Sequence, residues 1–164
     1  MYIKEELAAG AEILTTFSNK TTEMLAVHVN KLNLILINIF RPPNTTMEDF
    51  RDILRNIKTI LNNTPLQTTD LLLMGDFNFP HVNWETMDVS GGTADERWQA
   101  EEFLSLVHHN CLFPALHLIL ETTRGSNILD QILSNNPGIM HSYDILDTAM
   151  SDPRLIRRRT SLNP

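Results

Sequence analysis

Leu71-Leu72-Leu73-Met74-Gly75-Asp76-Phe77-Asn78 is the stretch on which the fold turns. Four apolar residues closed by a glycine predict a short buried strand, and the residues after it change character at once. A strand alternates its side chains, so Asp76 and Asn78 share one side while Phe77 points back into the core. Gly75 permits a close approach or an unusual turn just ahead of them. Strand ends in layered α/β proteins are common places for a site. Asp and Asn also favour ordinary turns, and on spacing alone the plain strand exit is the better reading.

Working outward, residues 33–40 are nearly all Leu and Ile and predict a central strand buried on both faces. Arg41-Pro42-Pro43 stops it, because proline cannot donate to a ladder. Residues 22–29 form a second strand-like segment before it. After it, Thr45 and Glu48 have capping-box spacing, and Met47, Phe50, Ile53, Leu54, Ile57 and Leu61 fall on one helical stripe that ends at Asn62-Asn63-Thr64-Pro65. Downstream, residues 76–92 contain Pro80, Asn83 and Gly91-Gly92 and read as a long loop, of a length that suggests function. A second helix over 95–110 buries Ala100, Phe103, Leu104 and Val107. Strands are expected at 117–122 and 128–134, with a weaker one at 143–146. Strands alternating with amphipathic helices predict a mixed α/β layered domain.

The bulk numbers agree. A chain of 164 residues with 42% apolar and 20% charged residues suits one domain with a real core. The domain is placed at 1–156, with 157–164 as a basic tail carrying Arg157, Arg158 and Arg159. A net charge of −7 excludes a generic nucleic-acid coat, but not a nuclease, since a carboxylate site for a divalent cation is itself acidic. The single cysteine, Cys111, excludes an internal disulfide and a zinc-finger ligand set. No apolar run is long enough to span a bilayer and no signal segment opens the chain, so the expectation is an intracellular protein without membrane contact.

Other residues could carry chemistry. Asp130 sits mid-strand between apolar neighbours, where a carboxylate is costly unless it is paired or hydrogen-bonded; an edge strand with Asp130 facing water is an equal alternative. Asp152, in Met150-Ser151-Asp152-Pro153, reads by itself as a turn residue. A calcium loop starting at Asp76 fails, because His81 falls where glycine is needed and Met87 where a bidentate Glu is needed. His108, His109 and Cys111 point different ways around a helix and cannot converge on one ion. Trp98 reads as packing. Trp84, in the loop, is left open as a residue that stacks on a base.

Taken in order, Phe40-Arg41-Pro42-Pro43 with the helix after it, Met74-Gly75-Asp76-Phe77-Asn78-Phe79-Pro80, Leu129-Asp130-Gln131-Ile132-Leu133 and Ser151-Asp152 resemble the endonuclease domain of LINE-type non-LTR retrotransposons. That domain belongs to the endonuclease/exonuclease/phosphatase superfamily. The resemblance implies a four-layer α/β sandwich, two packed sheets flanked by helices. It implies Mg2+- or Mn2+-dependent phosphodiester cleavage, with DNA as partner, a reverse transcriptase associated in the intact element, and a nuclear site of action. Asp76 would orient or deprotonate the attacking water. Asn78 would bond the phosphate or hold the site together, Asp130 would pair with a catalytic histidine, and Asp152 would lie at the metal–phosphate edge. Phe40 and Trp84 would contact substrate.

Three departures from the family pattern predict impaired activity. Pro153 stands where the family's Ser-Asp-His motif has histidine, and proline has no proton to give. Phe40 replaces the tyrosine that usually ends its strand and so lacks the hydroxyl. The family's early asparagine and metal-binding glutamate have no match, since Glu5, Glu6, Glu12 and Glu23 stand in the wrong context. The expectation is therefore a fold incomplete at its N-terminus, with Met1-Tyr2-Ile3-Lys4 entering a strand midway. The alternative function is a non-catalytic remnant that contacts nucleic acid or protein.

Overall fold

Strand-forming runs in the first half of the chain assemble around residues 71–76, as the alternation predicts. The computed structural model describes residues 5–19, 22–114, 130–139, 142–146 and 155–159. A short helix α1 (Glu5–Ala8) leads into β1 (Ala11–Ser18), β2 (Glu23–Val29) and β3 (Leu34–Phe40). Helix α2 (Met47–Asn62) then connects to β4 (Asp70–Asp76). A small hairpin of β5 (Val82–Asn83) and β6 (Asp88–Val89) precedes helix α3 (Ala94–His109). After it come β7 (Phe113–Pro114), β8 (Asp130–Ser134), β9 (Ser142–Leu146) and β10 (Leu155–Arg159).

The main sheet is six-stranded in the order β1-β2-β3-β4-β8-β7. Its pairs are antiparallel except β3 with β4, which run parallel because α2 carries the chain back across the sheet. Ile35, Ile37 and Ile39 of β3 and Leu71 and Leu73 of β4 pack with the buried stripes of α2 and α3. The result is an α/β sandwich. On the other face Leu34, Leu72, Ile132 and Ile139 form a smaller cluster. The expected burial of β3 on both faces holds at its start and fails at its end, where Asn38 is half-buried and Phe40 is 45% exposed.

The first half of β1 has a bulge between Ile13 and Thr15. Adjacent apolar residues at Ile13 and Leu14 break the period of two, so this strand does not announce itself in the sequence. The run Arg157–Arg159 is not a tail: it lies in β10, which pairs antiparallel with β9, setting Arg157 opposite Asp144. The expected strand at 117–122 and the segment Met1–Lys4 lie outside the described residues. Among the described residues, no helix is long and apolar enough to cross a membrane.

Helices α2 and α3 are each capped by threonine, the first one position from where spacing places it. Thr46, not Thr45, accepts the Asp49 N–H at 3.1 Å. The Thr45 hydroxyl is spent on the Pro42 carbonyl at 2.7 Å and is inside. Thr93 starts α3 with a full capping box: its hydroxyl accepts from the Glu96 N–H, and its own N–H donates to Glu96 Oε2 at 2.7 Å. Thr93→Ala is expected to lower stability by about 1 kcal/mol, read as a shift in urea midpoint.

The Glu96 carboxyl is held below its ordinary value, chiefly by the Thr93 backbone N–H and then by the Thr93 hydroxyl. A folded value below the unfolded one stabilises fully above the unfolded carboxylate range, and the gain is lost as pH falls through the folded value. Glu96→Gln should therefore be less stable than the parent at neutral pH and equal to it in strong acid. A stability difference that persists unchanged into acid would contradict this assignment.

Candidate active site

The end of β4 carries the candidate residues. Antiparallel register sets Asp76 directly opposite Asp130 of β8, and parallel register sets it beside Phe40 of β3. Directly paired residues on neighbouring strands project to one face, with Cβ atoms about 5 Å apart. Phe40, Asp76 and Asp130 thus form one row across three strands, and alternation puts that row on the face away from α2 and α3. Asp76 and Asp130 are both half-buried. Asp130 is not mid-strand but opens β8, paired on one side with Asp76, while β7 pairs only with Leu133 and Ser134 further along.

Gly75 makes this ending geometrically workable. Its φ is +140°, and a Cβ there would lie 1.9 Å from the Ile39 carbonyl oxygen. Beyond it the chain turns sharply. Asn78 adopts a left-handed φ of +48°, which asparagine tolerates better than most residues. Its N–H donates to Asp76 Oδ1 at 3.1 Å, and its side-chain amide donates to the Arg41 carbonyl at 2.9 Å. Phe77 points inward as predicted, 1% exposed, with its ring 4.9 Å from that of Phe103.

Behind the row lies a buried cation that the sequence reading passed over. Arg41 is 2% exposed. Its Nη1 donates to the carbonyls of Phe77 and Asn78 at 2.9 and 3.0 Å, and its Nη2 to Gln99 Oε1 at 2.6 Å. The guanidinium also stands 4.4 Å from the centre of the Phe79 ring. Burial pulls its pKa down to about 10, against the attraction of Glu96 and Asp76, so it stays charged at neutral pH. Gln99 is itself buried and donates onward to the Thr45 carbonyl at 3.0 Å. A signal for this pair existed: Gln99 is a polar residue on the apolar stripe of α3, four residues before Phe103.

Two carboxylates on adjacent strands supply hard oxygen donors. Magnesium is commonly held by one or two protein carboxylates, with water and substrate phosphate completing its shell. The pair therefore fits Mg2+ or Mn2+ in donor type. Among the described residues, no group of three His, Cys, Asp or Glu converges on one point.

A family model described as endonuclease-reverse transcriptase matches residues 34–157, from the first residue of β3 into β10. The chain belongs to this family. No curated protein sequence matches it. The endonuclease-reverse transcriptase match takes in the Phe40–Asp76–Asp130 row, Asn78 and both helices that back the sheet. It also takes in Asp152 and Pro153, whose positions lie outside the described residues.

Trp84 needs correction. It is 6% exposed, and its ring packs 6.4 Å from both Phe77 and Phe103, so it is a core residue with no face free to stack on a base. The loop over 76–92 is short of free chain because the β5–β6 hairpin folds it onto α3. Phe40 has the exposure that Trp84 lacks. A separate cavity of about 350 Å3, lined by Leu14, His28, Ile35, Ile60 and Pro65 among others, opens on the helix side. It lies at the opposite end of β3 from Phe40 and offers no carboxylate.

Proposed function

We propose that the Phe40–Asp76–Asp130 row is the divalent-metal end of a phosphodiester-cleaving domain that acts on DNA, derived from a retroelement and catalytically impaired in this chain. The observation that carries this reading is the direct cross-strand pairing of Asp76 with Asp130, in a chain of the endonuclease-reverse transcriptase family. A bound Mg2+ or Mn2+ would neutralise the charge that develops on the phosphate as it is attacked.

The chain's own residues then divide the work. Asp76, at the open end of the sheet, orients the attacking water and accepts its proton. Asn78 serves by holding the turn, because its amide nitrogen is already committed to the Arg41 carbonyl. Phe40 offers an exposed aromatic surface next to the carboxylates. Asp130, by resemblance, orients a histidine, and Pro153 at that position supplies no group to protonate the leaving oxygen. Asp152 would lie at the metal–phosphate edge. An intact element would carry a reverse transcriptase with this domain.

Pro153 also favours a second reading, a non-catalytic remnant that keeps the fold and contacts nucleic acid or protein. Calorimetric titration with Mn2+ separates the two. Under the first reading the chain binds the ion saturably, and Asp76→Asn and Asp130→Asn each weaken binding by about tenfold or more, the loss of one charged ligand from a shared site. Absence of saturable binding in the parent chain would favour the remnant.

A further inference from the structure

We propose that Arg41 is the positioning residue of the carboxylate row, fixing the backbone from Asp76 to Asn78 as a unit and tying it to helix α3 through Gln99. The proposal rests on Asp76 being a site residue, and its geometric part can be tested apart from that reading.

Arg41 reaches every residue of the turn. Its N–H donates to the Asp76 carbonyl at 2.9 Å, extending the β3–β4 ladder by one bond. Its own carbonyl accepts from the Asn78 side chain, and its guanidinium donates to the carbonyls of Phe77 and Asn78. One residue thus satisfies three consecutive carbonyls of a segment whose Gly75 and Asn78 both have positive φ. Such a turn does not hold its shape by local preference.

The far side of the guanidinium is set by Gln99, whose own amide is anchored on the Thr45 carbonyl next to the α2 cap. Phe79 and Phe50 lie 4.4 and 5.5 Å from it by ring centre and exclude water. The fork is therefore held from both helices and spent on the turn. A buried cation used only for packing would be replaceable by an apolar residue of similar volume. One aimed at consecutive carbonyls is not, and lysine cannot substitute, because a single ammonium does not reproduce the planar fork.

The test compares the parent chain with Arg41→Lys and Gln99→Leu by backbone NMR relaxation and by the Mn2+ concentration that half-broadens the Asp76 and Asp130 amides. In Arg41→Lys the amides of Leu71, Leu72 and Ile57 should keep their shifts. The order parameters of residues 76–78 should fall from about 0.85 to below about 0.6, and the Mn2+ midpoint should rise about tenfold. Gln99→Leu, which leaves Arg41 in place but frees one end of its fork, should give the same pattern at smaller size. It also carries the test should Arg41→Lys fail to fold. Unchanged order at 76–78 in a folded variant, with only global stability lowered, would overturn the proposal and leave Arg41 as a core residue. If Mn2+ broadens nothing in the parent chain, the metal reading of Asp76 fails, and order at 76–78 still decides the role of Arg41.

Discussion

Gly75→Ala should unfold most of this domain, or lower its melting temperature by about 6 °C at least. The added methyl would sit 1.9 Å from the Ile39 oxygen, 2.8 Å from its carbon and 2.9 Å from its nitrogen, all backbone atoms that no rotamer change can move. The φ of +140° adds a conformational penalty for any residue with a Cβ. Relief requires β4 to part from β3, and β4 also pairs with β8 through Gly75 and Gln131. Two ladders would be disturbed at the centre of the sheet. Backbone strain and overpacking of this kind together cost about 3 kcal/mol or more. A domain of this size converts each kcal/mol into roughly 2–4 °C, and total stability is typically only about 5–15 kcal/mol. Calorimetric melting of the variant checks this directly, and a melting temperature within a degree or two of the parent would mean that the Gly75–Ile39 approach is wrong.

Gly75 also shows how far the sequence could be read. A glycine between an apolar run and Asp76 announces something unusual, and the order of Arg41-Pro42-Pro43, Asp76, Asn78 and Asp130 pointed to the family and to one end of the sheet. A continuous apolar run made 33–40 legible and a strong single-faced stripe made α2 legible, while α3 showed itself through the weaker stripe of Ala100, Phe103, Leu104 and Val107. The α2 cap was ambiguous for a local reason. Thr45 and Thr46 each precede an acidic residue by three, and only the buried bond from Thr45 to Pro42 decides between them.

The burial of Arg41 and of Trp84 is not visible in the sequence for a different reason. Charge and loop position are surface signals on average, and both residues go inside through partners distant in sequence: Gln99 is 58 residues from Arg41, and Phe103 comes from α3. A guanidinium enters a core when carbonyls and an amide are arranged to receive it. That arrangement is a property of the folded turn, and its one local sign is Gln99, a polar residue on the apolar stripe of α3. Asp76 and Asp130 are also distant in the chain, and no periodicity shows that their strands pair; the resemblance gave each a role in one site, with Asp130 beside a histidine rather than opposite Asp76.

The largest effect on chemistry is expected at Pro153. The 164-residue chain should show no magnesium-dependent nicking of supercoiled plasmid above background. In the proposed site Asp130 has no histidine to orient, and a proton-handling group is typically worth about two to four powers of ten in rate. Pro153→His alone should stay at background, because histidine returns proton handling but adds no oxygen ligand to the Asp76–Asp130 pair. Pro153→His joined to the segment of a related domain that carries the family's glutamate should recover nicking, since the ion would then gain a further charged ligand. In that restored background Asp76→Ala should return the rate to background, while Trp84→Phe, a change inside the core, should leave it within a few-fold. Nicking by the unmodified chain that disappears with Asp76→Ala would mean that a group other than a histidine at 153 handles the proton. Nicking that survives Asp76→Ala would move the chemistry away from the carboxylate row altogether, because no step proposed here proceeds without that residue.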